Sequence, residues 1–315
     1  MTIQMEQNHS QAISLLLNGF NNVFKGKPDF VEKVLAAWLS GGHVLLEDLP
    51  GTGKTVVGKT LSRLVDGAIF KRIQFTPDLL PYDITGMDTW DEHSREFVFR
   101  PGPVFANVVL ADEINRTTPK VQSALLEAMA ECQVTVGNKT RPLREPFLVL
   151  ATQNPVETEG TYPLPEAQKD RFMLRLHPGY PDKEVEYAIV KENPSENVLP
   201  KLASVVSMED LLTLKRSAQN VHVDERLAHC AVDTAAVIRN HPDVRLGVST
   251  RGVLMLISAM KGLAFIKGRG YATDQDLADL AVDVYAHRIT MRNGSDAEEL
   301  VRNLAQQELR RLPRG

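Results

Sequence analysis

The sequence predicts an α/β unit built on a parallel sheet over residues 1–180, followed by a smaller, mostly helical unit over residues 181–315. Three observations carry this prediction. Short apolar runs alternate with amphipathic helical patterns as far as residue 178. A glycine-rich turn stands between the first such run and the helix after it. Strand patterns nearly cease beyond His177-Pro178-Gly179-Tyr180-Pro181, where two prolines and a glycine mark a linker.

The chain has 315 residues, enough for two modest cores, and 43% of them are hydrophobic, 24% charged and 6% aromatic, which is ordinary for a globular protein. Its net charge of −4 weighs against a protein that coats nucleic acid. Cys132 and Cys230 lie far apart and outside any metal-ligand spacing, so a reducing compartment is expected. No basic n-region with an apolar h-region opens the sequence, and no run approaches the ~20 apolar residues of a membrane span. A cytoplasmic protein with neither signal peptide nor membrane span is the expectation. The histidines show no convergent spacing that would suggest a metal site.

Residues 1–40 are expected to form helices through QAISLLLNGF and FVEKVLAAWL, the second stopping at Ser40-Gly41-Gly42, with Trp38 in the core. HVLLED (43–48), IFKRIQF (69–75), NVVLADE (107–113), PFLVLATQN (146–154) and FMLRLHP (172–178) read as strands. Several are apolar on both faces, as in a parallel sheet covered by helices. Pro119 opens a helix whose buried stripe is Val121, Ala124, Leu125, Ala128 and Met129. QVTVGNKTRPL reads as a β-hairpin turning at Gly137-Asn138, and residues 83–103, around the alternating EFVFR, as a second hairpin-like insertion. In the second unit Ser207, Thr273 and Ser295 each open a capping box ahead of a helix.

The chemistry is carried by LLEDLPGTGKTVVGKTL, a strand, a tight loop and a helix. In the loop Pro50-Gly51-Thr52-Gly53-Lys54-Thr55, glycines allow backbone N–H groups to wrap around phosphate oxygens, and the helix N-terminus adds a favourable field. Lys54 would reach the β- and γ-phosphates of ATP, and Thr55 would place its hydroxyl on Mg²⁺. Asp48 stands where such loops usually open with glycine, and Glu47 and Asp48 set acidic charge beside an anion site. NVVLADE ends in two carboxylates. Asp112 would hold Mg²⁺ and Glu113 would activate the attacking water. The strand ending Thr152-Gln153-Asn154-Pro155 offers the Asn154 amide to orient that water; a simple Asn-Pro turn is the alternative.

EFVFRPGPVFANVVLADEINRTTPKVQSALLEAMAE and VLATQNPVETEGTYPLPEAQKDRF closely resemble the MoxR group of AAA+ ATPases. RIQFTPDLLPYDITG and STRGVLMLISAMKGLAFIKGRGYATDQDL match as well, so the resemblance runs from about residue 20 to 290. It implies an AAA+ P-loop αβα core followed by an all-α lid, with ATP and Mg²⁺ bound at the core. Asn154 falls at the sensor-1 position, and Arg251 at the sensor-2 position on a lid helix. Arg171 falls where an arginine reaches the neighbouring subunit's γ-phosphate in a ring, expected to be hexameric. Arg116 is a second candidate for an intersubunit contact. For Arg171 a surface salt bridge with Asp170 or Glu166 remains the alternative, and for Arg251 a solvated helix surface. The hairpins near 133–143 and 86–100 resemble the pre-sensor and helix-2 inserts, and Lys139, Arg141, Trp90 and Arg95 on them could touch a client or stand in solvent. MoxR-type ATPases typically act as chaperones, with a von Willebrand factor A-domain partner, in remodelling or metal-cofactor maturation of a client protein. A metal-chelatase-type motor or a nucleic-acid motor of the same branch are the alternatives, the latter disfavoured by the net charge of −4.

Overall fold

The structure is a computed structural model that describes residues 2–47, 51–153 and 160–312, with side chains from residue 8 onward. Helices α1 (Thr2–Val23) and α2 (Pro28–Leu39) precede strand β1 (Val44–Glu47), helix α3 (Lys54–Leu64) and strand β2 (Phe70–Gln74). A short helix α4 (Pro81–Thr85) leads into the hairpin β3 (Gly86–Asp91) and β4 (Glu96–Pro101). Then come β5 (Val108–Asp112), α5 (Pro119–Glu131), the hairpin β6 (Gln133–Val136) and β7 (Lys139–Pro142), β8 (Leu148–Gln153), α6 (Glu166–Lys169) and β9 (Leu174–Leu176). The rest is α7 (Lys183–Glu192), α8 (Pro194–Asn197), α9 (Met208–Gln219), α10 (Glu225–Asn240), β10 (Val244–Leu246), α11 (Thr250–Ile266), α12 (Asp274–Tyr285), β11 (Thr290–Met291) and α13 (Ala297–Arg311).

Each run expected as a strand is one, and all five lie parallel in the order β2-β5-β8-β1-β9. Because side chains alternate across a strand, each central strand feeds two cores. Val44 and Leu46, Val108 and Leu110, Leu148 and Leu150 face a cluster with Leu16 and Phe20 of α1 and Val57 and Leu61 of α3. Leu45, Val109 and Ala111, Val149 and Ala151 face a second cluster with Val121, Leu125 and Met129 of α5. Both faces are thus covered, which is why these strands read as apolar throughout.

The first cluster continues through Leu35 and the buried Trp38 of α2 into Leu256 of α11 and Leu280 of α12. Ser40 Oγ donates to Ser258 O (2.8 Å) and Lys33 pairs with Asp283 (2.6 Å), so α2 is tied to the C-terminal helices by polar contacts as well. His43, buried just before β1, is a strut between layers. Its Nε2–H donates to Met129 O (3.1 Å) and its Nδ1 accepts from Val149 N (3.0 Å). Burial pushes its pKa down to about 4, so it is neutral at physiological pH.

Three local expectations change. Ala124, expected on the buried stripe of α5, is half-exposed, whereas Gln122 and Leu126 are buried. Gln122 Nε2 is drawn inward by Ile114 O, Thr117 O and Tyr162 O, at 3.2, 3.3 and 3.0 Å, which swings the buried face toward the 160s segment. Ser207 and Thr273 form their capping boxes with Asp210 and Asp276, but Ser295 does not open α13. Asp296 does, its carboxylate accepting from Glu298 N at 2.8 Å; an Asp one residue nearer the helix is an equally good cap. Finally, Arg141 is turned inward between the two hairpins. It pairs with Asp88 (3.1 Å) and lies 3.8 Å over the Phe99 ring, whereas Lys139, Arg95 and Trp90 are exposed. A cation that finds both a carboxylate and an aromatic face on the neighbouring hairpin gains more there than in water.

Candidate active site

Parallel order places the C-terminal ends of β5, β8 and β1 side by side at one edge of the sheet, the usual location of ligand crevices in such sheets. From β1 the chain enters the loop and then α3. Gly51 and Gly53 have φ of 88° and 85°, a region other residues reach only with strain. A Cβ at Gly53 would also stand 3.1 Å from the Phe24 ring, so both backbone and packing select glycine there. Gly53 O accepts from Val56 N (2.8 Å) and Val57 N (3.2 Å), which starts α3 with Lys54 and Thr55 in its first turn. That turn carries no acidic side chain. Pro50 and Asp48, named from the sequence, lie outside the described residues. Glu47 is accounted for: Arg175 on β9 lies 3.4 Å from its carboxylate and offsets the charge.

At the tip of β5, Asp112 and Glu113 are bound into a network that the sequence did not announce. Thr152 on β8 is its hub. Its hydroxyl donates to Asp112 Oδ1 (2.7 Å) and accepts from the Glu113 N–H (2.8 Å). Arg72 of β2 bonds Asp112 Oδ2 through Nη2 (2.6 Å) and Nε (3.1 Å). Gln74, two residues on and on the same strand face, donates to Glu113 Oε2 at 3.0 Å. Arg116 lies 3.3 Å from the same oxygen, so this candidate for an intersubunit contact engages Glu113 within its own chain. Glu113 itself sits at φ 57°, a left-handed conformation that costs a non-glycine residue on the order of 1 kcal/mol or more and collects at functional sites. The available signal for Arg72 and Gln74 was period-2 spacing of polar side chains at the end of a predicted strand. Asn154, one residue past the end of β8, lies outside the described residues.

Hard oxygen donors predominate here. The Asp112 carboxylate accepts two bonds from Arg72 on Oδ2 but only one, from Thr152, on Oδ1, which keeps a lone pair, and Thr55 brings a hydroxyl in the first turn of α3. This set fits Mg²⁺, which binds few protein oxygens and keeps water and phosphate ligands. Beside the loop, a cavity of about 340 Å³ is walled by Val23, Phe24, Tyr180, Ile189, Val190 and Pro194 and reaches Gly51, Thr52 and Gly53. An ion pair between Lys25 and Glu192 joins the end of α1 to α7 near this cavity.

Arg171 is half-exposed in the turn after α6, its N–H donating to Gln168 O at 3.1 Å. The alternative salt bridges are not formed. Asp170 pairs with Arg288 (2.8 Å) and accepts from Ser249, and Glu166 lies 3.6 Å from Arg245 and accepts from Thr290. Arg251 is exposed in the first turn of α11, behind the Ser249 cap.

A five-stranded parallel sheet in this order, with a glycine loop and a carboxylate pair at one edge and a helical unit behind it, defines a P-loop ATPase of the AAA+ class. Comparison agrees. The family described as "ATPase family associated with various cellular activities (AAA)" matches residues 43–174, and the AAA lid domain matches residues 237–308. Chaperone MoxR1 of Mycobacterium tuberculosis is 42% identical over 287 residues, spanning 88% of this chain and 75% of the relative. YeaC of Bacillus subtilis (strain 168), an uncharacterised protein, is 47% identical over 289 residues and 90% of both chains. A crystal structure from Cytophaga hutchinsonii superposes with a TM-score of 0.89 at 38% identity, covering 99% of this chain and 97% of that one. The chain belongs to the MoxR family of AAA+ ATPases: an ATP-hydrolysing enzyme with an α/β core and a helical lid. Among the described residues no helix is long and apolar enough to cross a membrane.

Proposed function

We propose that this ATPase works as a ring, hexameric by family resemblance, in which ATP hydrolysis drives chaperone-like remodelling of a client protein. The observation that carries the reading is the placement of the loop residues Gly51–Thr55, the Asp112–Glu113 tip and the end of β8 along one edge of the sheet. The loop N–H groups and Lys54 bind the phosphates, and the apolar cavity beside Gly51 and Gly53 takes the base. Thr55 and Asp112 would hold Mg²⁺, which offsets charge on the β- and γ-phosphates. Glu113, aimed by its strained backbone and by Gln74, takes the proton of the attacking water, and Asn154 orients that water.

Residues 1–180 act as the core and 181–315 as the lid, from which Arg251 reaches the nucleotide. Arg171 acts in trans. Its half-exposure and its absence from the bridges of Asp170 and Glu166 support a role in completing a neighbour's site, which would tie turnover to assembly. The names of relatives such as Chaperone MoxR1 support the chaperone role. A von Willebrand factor A-domain partner and a metal-cofactor client follow from family resemblance.

Steady-state ATPase activity with mass in solution tests the reading. Glu113→Gln is expected to bind ATP and lose about 10²–10⁴-fold in kcat. Arg171→Ala is expected to lose at least as much. In a random one-to-one mixture of the two variants, about a quarter of interfaces join an intact Glu113 to an intact Arg171, so partial activity returns. Arg171→Ala with full turnover in a monomer would sink the ring mechanism.

A further inference from the structure

Arg288 belongs to no motif that the sequence singled out, yet its side chain is only 1% exposed. It sits in the turn Ala286–Arg288 after α12; besides contacts to Val284 O on α12 and to Met255 Sδ on α11, its donors reach one stretch of the core. Nε donates to Asp170 Oδ1 at 2.8 Å, Nη2 to the carbonyls of Asp170 (3.3 Å) and Phe172, and Nη1 to Met173 O at 3.5 Å. The backbone is therefore clamped on both sides of Arg171. Beyond it, Leu174 enters β9 and is fixed in the sheet.

The same carboxylate faces α11. Ser249 Oγ lies 3.1 Å from each oxygen of Asp170 while capping α11 by accepting from Gly252 N at 3.1 Å. Arg251 stands in that capped turn. Gly252 brings the turn against Arg288 itself: a Cβ there would meet Arg288 Cδ at 2.9 Å. Burial lowers the Arg288 pKa to about 10 against the opposing pull of Asp170, with the Arg251 charge lowering it further, so the guanidinium stays charged at neutral pH. A buried charge with its partner removed is costly, which holds the Arg288 guanidinium against Asp170, while Ser249 shares the same carboxylate from α11.

We propose that Asp170, Arg288 and Ser249 form a positioning device that couples Arg251, at a subunit's own nucleotide, to Arg171, at its neighbour's. Movement of α11 with the lid is passed through Ser249 and Arg288 to Asp170 and thence to the next residue along, so occupancy of one site sets the arginine presented to the next. This rests on the trans-acting role given to Arg171 above.

Two substitutions at Ser249 separate coupling from capping. Ser249→Asp keeps a good N-cap acceptor but sets a second carboxylate against Asp170, whereas Ser249→Thr keeps both cap and donor. The readouts are kcat and Hill coefficient for ATP, nucleotide affinity, and ring mass. Ser249→Asp is expected to lose about tenfold in kcat and to bring the Hill coefficient to 1, with nucleotide affinity and mass unchanged. Ser249→Thr should behave as wild type. Arg288→Lys, which keeps the charge but loses the fork, is a second variant and should reproduce the same split between kcat and affinity. Wild-type kcat and cooperativity in Ser249→Asp, equal losses in both Ser249 variants, or a wild-type Hill coefficient of 1 would each overturn the coupling. Arg171→Ala separates the two levels. If it is inactive while Ser249→Asp is normal, only the coupling fails; if it is fully active, the trans role itself fails.

Discussion

Replacing Thr152 by valine removes one oxygen and keeps the shape of the side chain, which makes it the sharpest test of how the β5 tip is held. Thr152 is 1% exposed, and its hydroxyl serves both Asp112 (2.7 Å) and the Glu113 N–H (2.8 Å). Loss of a hydrogen bond to a charged group costs about 1.5–3 kcal/mol, and a buried amide left without an acceptor about 1–3 kcal/mol. Asp112 keeps its Arg72 contacts, so its charge is not stranded, and the two losses overlap. A net destabilisation of about 2–4 kcal/mol is expected. The catalytic effect is separate. Glu113 is held at φ 57° partly by that amide bond, and once released it relaxes toward an ordinary conformation that carries the carboxylate away from its place. A displacement on the order of 1 Å lowers kcat about 10²-fold. Urea unfolding and steady-state ATPase assays on Thr152→Val and Thr152→Ser measure both effects, and serine should restore most of each. Unchanged stability and turnover in Thr152→Val, or equal damage in the serine variant, would refute this account of the tip.

Acid should weaken the fold through His43. Its folded pKa of about 4 lies below the ordinary 6.5, so the unfolded chain takes up the proton first. The stabilisation is complete above pH 6.5, declines as pH falls toward about 4, and is on the order of 3 kcal/mol in all. His287, buried and held well below its usual value, adds in the same direction. Urea unfolding across that window should show a smaller acid loss in His43→Asn, whose amide oxygen can still accept from Val149 N. Arg141→Lys loses the flat stacking on Phe99 and should free the two hairpins from one another. Amide exchange in β3 and β4 should then quicken by a factor matching about 0.5–1 kcal/mol, with global stability unchanged.

The five strands, the phosphate loop and the two hairpins were legible in the sequence because each is written in contiguous residues. Strands buried on both faces give apolar runs, Gly51 and Gly53 mark the turn, and Gly137-Asn138 marks a hairpin. Asp112 and Glu113 were legible as the charged end of one such run. Their partners were not. Thr152 meets Asp112 only because β8 lies beside β5, and Arg72 and Gln74 meet the same tip only because β2 flanks β5 on its other side. The inward turn of Arg141 likewise depends on two hairpins, far apart in the chain, lying side by side.

The sequence by itself determined the five sheet strands and the two hairpins, though not the short pair β10 and β11, as well as where the phosphate loop stands and what chemistry its side chains can supply, since period, turn residues and donor types are local properties. Tertiary structure alone decided the lateral order of the strands, the hub at Thr152 and the burial of Arg288 between Asp170 and the first turn of α11. Those depend on contacts between segments separated by dozens of residues, and a one-dimensional pattern carries no term for them.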